Sequence, residues 1–159
     1  MSRRASRRHS FMVTYQMEFY KEPDVPQIFQ TYSEEFILQE ADADITKKDS
    51  DFIKTQVYGI RCNLEAIDTL IVRYISKGWS FTRIAKVDLA ILRLATYELA
   101  FMPEIPTRVC INEAVELAKT YGDDDAPAFV NGLLASVQKE VRSTPGLAEA
   151  TDPLSPGEQ

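Results

Sequence analysis

An all-α fold of about seven helices in two packed helical subdomains is what this sequence predicts, and three observations carry that expectation. Apolar residues recur at steps of three and four through most of the 159 residues, and no stretch alternates apolar and polar positions as a half-buried strand does. The breaker-like segments "KEPDVP" and "PEIP" punctuate the periodic runs. A hydrophobic content of 45% is enough for one domain, or two small packed halves, with a real core.

In chain order, the first helical pattern runs from about residue 3 to 20 and the second from about 26 to 40, with Phe29, Tyr32 and Phe36 on one face. The plainest pattern is "DFIKTQVYGIRCNLEAIDTLIVRYISKG", where Ile53, Val57, Ile60, Leu64, Ile67, Ile71 and Tyr74 form an apolar seam along one long helix. Asp49 or Ser50 is expected to cap its start, Lys77 suits the negative end of its dipole, and Gly78 can take the left-handed conformation that ends it. "WSFTRIAKVDLAILRLATYELAFM" reads as a short helix followed by a longer one. "TRVCINEAVELAKTYG" is the next, capped by Thr107 and ended by Gly122; "DAPAFVNGLLASVQKEV" is the last, capped by Asp125 with Pro127 tolerated in its first turn. The expected organisation is one domain over residues 1–142, with subdomains of about 1–78 and 79–142. Residues 143–159, rich in proline and acids, are expected to be disordered.

The net charge is −6, yet "SRRASRRHS" near the start holds four arginines and no acid, so the cationic segment is a local feature of an acidic chain. On a helix, Arg3, Arg4, Arg7 and Arg8 fall within an arc of roughly 140° and make one cationic face. Guanidinium forks on one face can follow an RNA backbone and stack on unpaired bases. A transit peptide, a nuclear signal and a phosphorylation site at Ser6 compete for the same residues, and composition alone leaves the question open. Phe11 and Tyr15, further along, are expected to pack in the core or against a partner.

Catalytic chemistry has little footing. His9 is the single histidine and is expected to be exposed; Asp123, Asp124 and Asp125 mark a turn and a helix start rather than a metal site. There is no Gly-rich phosphate loop, no Ser-His-Asp arrangement and no HExxH. Cys62 and Cys110, far apart and outside any CxxC, read as buried small hydrophobes in a reducing compartment. No apolar run is long enough to span a membrane, so a soluble, cytoplasmic protein is expected. Arg93, Glu98, Asn112, Glu113 and Asn131, polar residues within apolar helix faces, are expected to bond structurally between helices.

Between residues 83 and 134 the chain reads "RIAKVDLAILRLATYEL", "EIPTRVCINEAVELAKTYG" and "FVNGLL". This joined pattern resembles the NusB family of bacterial transcription antitermination factors, and the likeness extends loosely over residues 3 to 141. The resemblance implies a non-enzymatic, cofactor-free and metal-free protein of two helical subdomains. Such proteins bind boxA-type single-stranded RNA in leader and ribosomal RNA transcripts. They act with NusE, the small-subunit ribosomal protein that doubles as a transcription factor, and help RNA polymerase pass terminators.

Carried onto this chain, the resemblance makes Arg3, Arg4 and Arg7 RNA contacts, with Arg8 an added neighbour. Lys119, Tyr121, Asp125 and Phe129 match the second part of the RNA surface, and Tyr15 and Asp88 match positions on the NusE side. Ser10, Met12 and Thr14 depart from the family's usual Ala, Gln and Leu, and Ala135 replaces its usual acid, so contacts made by that glutamine or that acid are not expected here. The same fold also precedes ribosomal RNA cytosine methyltransferase domains, which is the alternative reading; the short polar tail is expected to exclude a catalytic domain. A structural module that dimerises through the first subdomain is a third.

Overall fold

The computed structural model describes residues 1–39, 44–76 and 78–143. Among them lie seven α-helices and no strand: α1 (Arg3–Met17), α2 (Val25–Tyr32), α3 (Lys47–Cys62), α4 (Leu64–Arg73), α5 (Lys86–Phe101), α6 (Thr107–Tyr121) and α7 (Ala126–Ser143). A π-helical turn, Ser33–Ile37, continues α2, and a 3₁₀ turn, Phe81–Arg83, precedes α5. The helix that the sequence places over residues 26–40 therefore changes hydrogen-bond register midway. The chain divides into two compact units, Met1–Tyr58 and Gly59–Gln159, whereas the sequence suggests a boundary near residue 78. Lys77 and, apart from Ser143, the tail lie outside the described residues.

The first unit is built around Val13 and Met17 of α1, Val25 and Tyr32 of α2, Ile37, and Ile53 and Val57 of α3. Ser2 caps α1 by accepting the Ala5 N–H at 3.1 Å, and Asp24 caps α2 by accepting that of Gln27 at 3.1 Å. Neither Asp49 nor Ser50 caps α3. Thr46 does, in a reciprocal box: its hydroxyl accepts the Asp49 N–H at 3.3 Å while the Asp49 carboxylate accepts the Thr46 N–H at 2.9 Å. That backbone bond holds the Asp49 carboxyl below the usual carboxylate range.

The long helix expected over residues 50–77 is two helices. At Asn63 the backbone N–H and the side-chain Nδ2 both donate to the Gly59 carbonyl, at 3.0 and 2.8 Å, and the chain leaves helical geometry for one residue. A short polar side chain that competes for a backbone acceptor stops one helix and starts the next. The seam survives the break, with Ile53, Val57, Ile60, Ile67 and Ile71 all buried. Gly78 does have a positive φ of 90°, but α4 has already ended at Arg73. Cys62, at the end of α3, is exposed rather than buried; Cys110 is buried as expected.

In the second unit α5 is the central element, packed against α4, α6 and α7, and every residue from Leu89 to Ala100 is buried. A helix buried on all sides, even with Arg93, Thr96 and Glu98 along it, is a core helix. Tyr97 approaches α3 so closely that a side chain at Gly59 would lie 2.2 Å from its hydroxyl, which is why glycine stands there. Glu98 is buried, but Asn112 and Asn131 are exposed and Glu113 is half-buried, so of the five polar positions only those on α5 sit in the core. Arg142 of α7 donates to the carbonyls of Pro103 at 3.1 Å and Ile105 at 3.0 Å, tying the end of α7 to the loop after α5.

Arg93 meets Asp68 of α4 through two bonds, Nε to Oδ1 at 2.8 Å and Nη2 to Oδ2 at 2.9 Å. Burial makes each charge costly alone, pushing the Asp68 carboxyl up to about 7 and the Arg93 guanidinium down to about 10. Arg93→Met should therefore destabilise the protein by about 3 kcal/mol in urea unfolding, since it strands the carboxylate. Replacing both partners, Arg93→Met with Asp68→Leu, should cost less than the single change. A double variant as unstable as the sum of the two singles would contradict the pairing.

Candidate nucleic-acid interface

The arginines occupy the first turns of α1, which contain no carboxylate to balance the positive end of the helix dipole. They do not form one exposed face. Arg3 and Arg4 are exposed and Arg8 is half-buried, but Arg7 is only 4% exposed. The reason is Phe52 on α3: the Arg3 guanidinium lies 4.0 Å above its ring centroid, and that of Arg7 lies 5.9 Å away. Spaced four residues apart, Arg3 and Arg7 project to the same side of α1 and share one aromatic platform. Phe52 lies beside the α3 seam, and nothing in its local sequence marks it as the partner of residues nearly fifty positions earlier.

Two further readings of this segment change. Ser6 is fully buried, with its hydroxyl donating to the Ser2 carbonyl at 3.2 Å, so it does not present a phosphorylation site. His9 is buried, not exposed; its Nδ1 shares a 2.8 Å hydrogen bond with the Tyr32 hydroxyl, and the two rings meet edge to face. His9 thereby fastens α1 to α2. Farther along α1, Phe11 is buried and stacks on half-buried Tyr15, which meets the ring of Phe19 edge-on at 5.2 Å.

The second group of expected contacts surrounds the turn between α6 and α7, within the second unit. Lys119, Tyr121 and Asp125 are exposed and Phe129 is half-buried. Lys119 pairs with Glu116 at 3.2 Å, a surface bond of small energetic consequence. The turn itself is tight: the Gly122 N–H donates to the Ala118 carbonyl at 2.9 Å and the Ala126 N–H to the Asp123 carbonyl at 3.0 Å. Gly122 is extended, not left-handed, and is needed for space, because a Cβ there would lie 2.6 Å from that of Ala126.

Asp88, in the first turn of α5, reaches this same turn. Its Oδ1 is buried without a hydrogen-bond partner among the described residues and would lie 3.1 Å from a Cβ at Gly122. Burial, then the charge of Asp123, raises its carboxyl above the usual range. The structure thus brings Asp88 against Gly122, in the turn that also holds Asp123. No cluster of metal-ligating side chains occurs among the described residues, and no helix of theirs is long and apolar enough to cross a membrane.

The NusB family model matches residues 4–139. The chain belongs to the NusB family. It is 43% identical over 139 residues to the transcription antitermination protein NusB of Acetivibrio thermocellus, covering 87% of this chain and 90% of that one. It is 40% identical to that of Clostridium novyi, covering 87% and 99%. Among solved structures, NusB of T. maritima is 39% identical with a TM-score of 0.77, covering 88% of this chain and 92% of its own. A structure of NusB and NusE in complex with double-stranded RNA is 27% identical with a TM-score of 0.75, covering 87% and 96%. As a NusB-family chain this protein is a transcription antitermination factor, not an enzyme, and the methyltransferase-associated reading gives way to it.

Two outcomes are expected from this geometry. Phe52→Leu keeps apolar bulk but removes the ring, and should weaken RNA binding by roughly fivefold, the equivalent of one cation–π contact, in a fluorescence titration. Asp88 holds its proton more tightly folded than unfolded, so its contribution to stability falls as pH rises above about 4, the ordinary aspartate value. Urea unfolding at a series of pH values should show that fall reduced in Asp88→Asn; an identical slope would show that Asp88 does not feel its surroundings this way.

Proposed function

We propose that this NusB-family chain binds boxA-type single-stranded RNA jointly with NusE, and so helps RNA polymerase read through terminators in leader and ribosomal RNA transcripts. The observation that carries the reading is the start of α1. Exposed Arg3 and Arg4 stand at the positive end of a helix whose first turn has no acid, and Arg3 is braced on an aromatic ring. Concentrating cations there is unfavourable in isolation, and an RNA phosphate offsets it. Guanidiniums with their flat faces supported offer their edges to phosphate oxygens.

Tyr121 and Phe129 supply ring faces for unpaired bases, Lys119 a cation for the backbone and Asp125 an acceptor for base amino groups. Arg8 adds charge beside Arg4. Arg7, buried against Phe52, serves the RNA surface mainly by holding α1 in place. Tyr15 and Asp88 belong to the NusE side. Work on nascent transcripts sets the protein in the cytoplasm.

The test is a titration of the full chain with boxA-type RNA, single-stranded and as a duplex, with and without NusE, at about 50 and about 200 mM salt. Single-stranded RNA should bind better than the duplex, more tightly with NusE, and more weakly at high salt. Arg3→Ala with Arg4→Ala should lower affinity at least tenfold while helical circular dichroism is unchanged. Wild-type affinity in that variant would overturn the assignment.

A further inference from the structure

In the first unit, a cleft of about 510 Å³ opens where the end of α1 meets the start of α2, lined among others by Phe19, Tyr20, Glu22, Asp24, Gln27 and Ile28. Phe19 and Tyr20 are 60% and 57% exposed, two adjacent aromatic side chains left largely in water. Scattered exposed aromatics need no explanation, but a pair that walls a cleft marks a binding surface. The charged groups of this cleft are both carboxylates. Glu22 is an exposed carboxylate; Asp24 uses Oδ1 to cap α2 and keeps its second oxygen. Gln27 donates one Nε2 hydrogen to the Thr31 hydroxyl at 3.2 Å, and its carbonyl oxygen is a further acceptor. No lysine or arginine lines the cleft.

Aromatic walls, an aliphatic floor at Ile28 and an acceptor rim of negative charge suit one side chain above others. A guanidinium is flat, carries only donors and stacks on aromatic rings. The same carboxylates repel a phosphate backbone, so RNA does not fit. We propose that this cleft receives an arginine side chain presented by a protein partner. The edge-on contact of Phe19 with Tyr15 makes the cleft continuous with the NusE-side surface, and this last link rests on the function proposed above.

The direct test titrates the ¹⁵N-labelled full chain with a tetra-arginine peptide and, as control, tetra-glutamate. Tetra-arginine should shift the amide signals of residues 16–31, side-chain amides of Gln16 and Gln27 included. Phe19→Ala and Glu22→Gln, both at exposed positions, should each weaken that response about tenfold with unchanged circular dichroism. NusE should bind Phe19→Ala about tenfold more weakly, while the affinity of the variant for RNA alone stays within about twofold. The proposal is overturned if tetra-arginine leaves these signals still, if the variants respond like wild type, if boxA-type RNA moves them instead, or if they shift with protein concentration alone, which would make a second copy the occupant. If wild-type chain fails to bind NusE at all, the partner reading above is wrong, while the tetra-arginine titration still decides the cleft.

Discussion

The constraint on which the second unit depends is the burial of α5 on every side. A helix surrounded by α4, α6 and α7 leaves its polar groups little access to water, so a charge buried along it is costly without a protein partner. Arg93 has a forked bond to Asp68, and the Glu98 carbonyl accepts from Arg142 at 3.4 Å. Close approach is bought elsewhere by the smallest residue: Gly59 makes room for the Tyr97 hydroxyl. The first turn of α5 extends the same rigidity to the surface, because Asp88 packs on Gly122 and so fixes the turn that carries Tyr121, Asp125 and Phe129. An exposed turn is thereby held by the most buried helix of its unit.

In the first unit the organising problem is charge. Four arginines at the positive end of α1 repel one another and the helix dipole, and the fold sorts them rather than fanning them out. Arg7 is drawn into the interior against Phe52, Arg3 lies flat over the same ring, and Arg4 remains on the outer side. The serines at positions 6 and 10 turn their hydroxyls back onto the carbonyls of Ser2 and Ser6, and the His9–Tyr32 bond completes the docking of α1. A helix built this way divides its cations into those that anchor it and those left on the surface.

Periodicity made the helices legible, because an apolar seam is a local property of the chain. The buried seam from Ile53 to Ile71 is where the pattern places it even though the backbone breaks at Asn63. That break was invisible because Asn63 leaves the phase of the seam intact; only its competition for the Gly59 carbonyl reveals it. The same limit applies to the site. The cationic character of residues 3–8 and the Tyr121 to Phe129 turn were readable from the chain. The burial of Arg7 and His9 was not, since Phe52 and Tyr32 lie far away in sequence. Cys62, Asn112 and Asn131 were misplaced for a related reason: at a helix end or beside a seam, a few tens of degrees of rotation separate core from solvent.

The proposal stands or falls on whether RNA is bound through the exposed arginines at the start of α1. The most direct measurement is an amide chemical-shift map of the full chain with single-stranded boxA-type RNA in the presence of unlabelled NusE. The expected result is perturbation of Arg3, Arg4 and Arg8, disappearing as salt is raised. Unmoved signals at Arg3, Arg4 and Arg8, at RNA concentrations that saturate the complex, would contradict it.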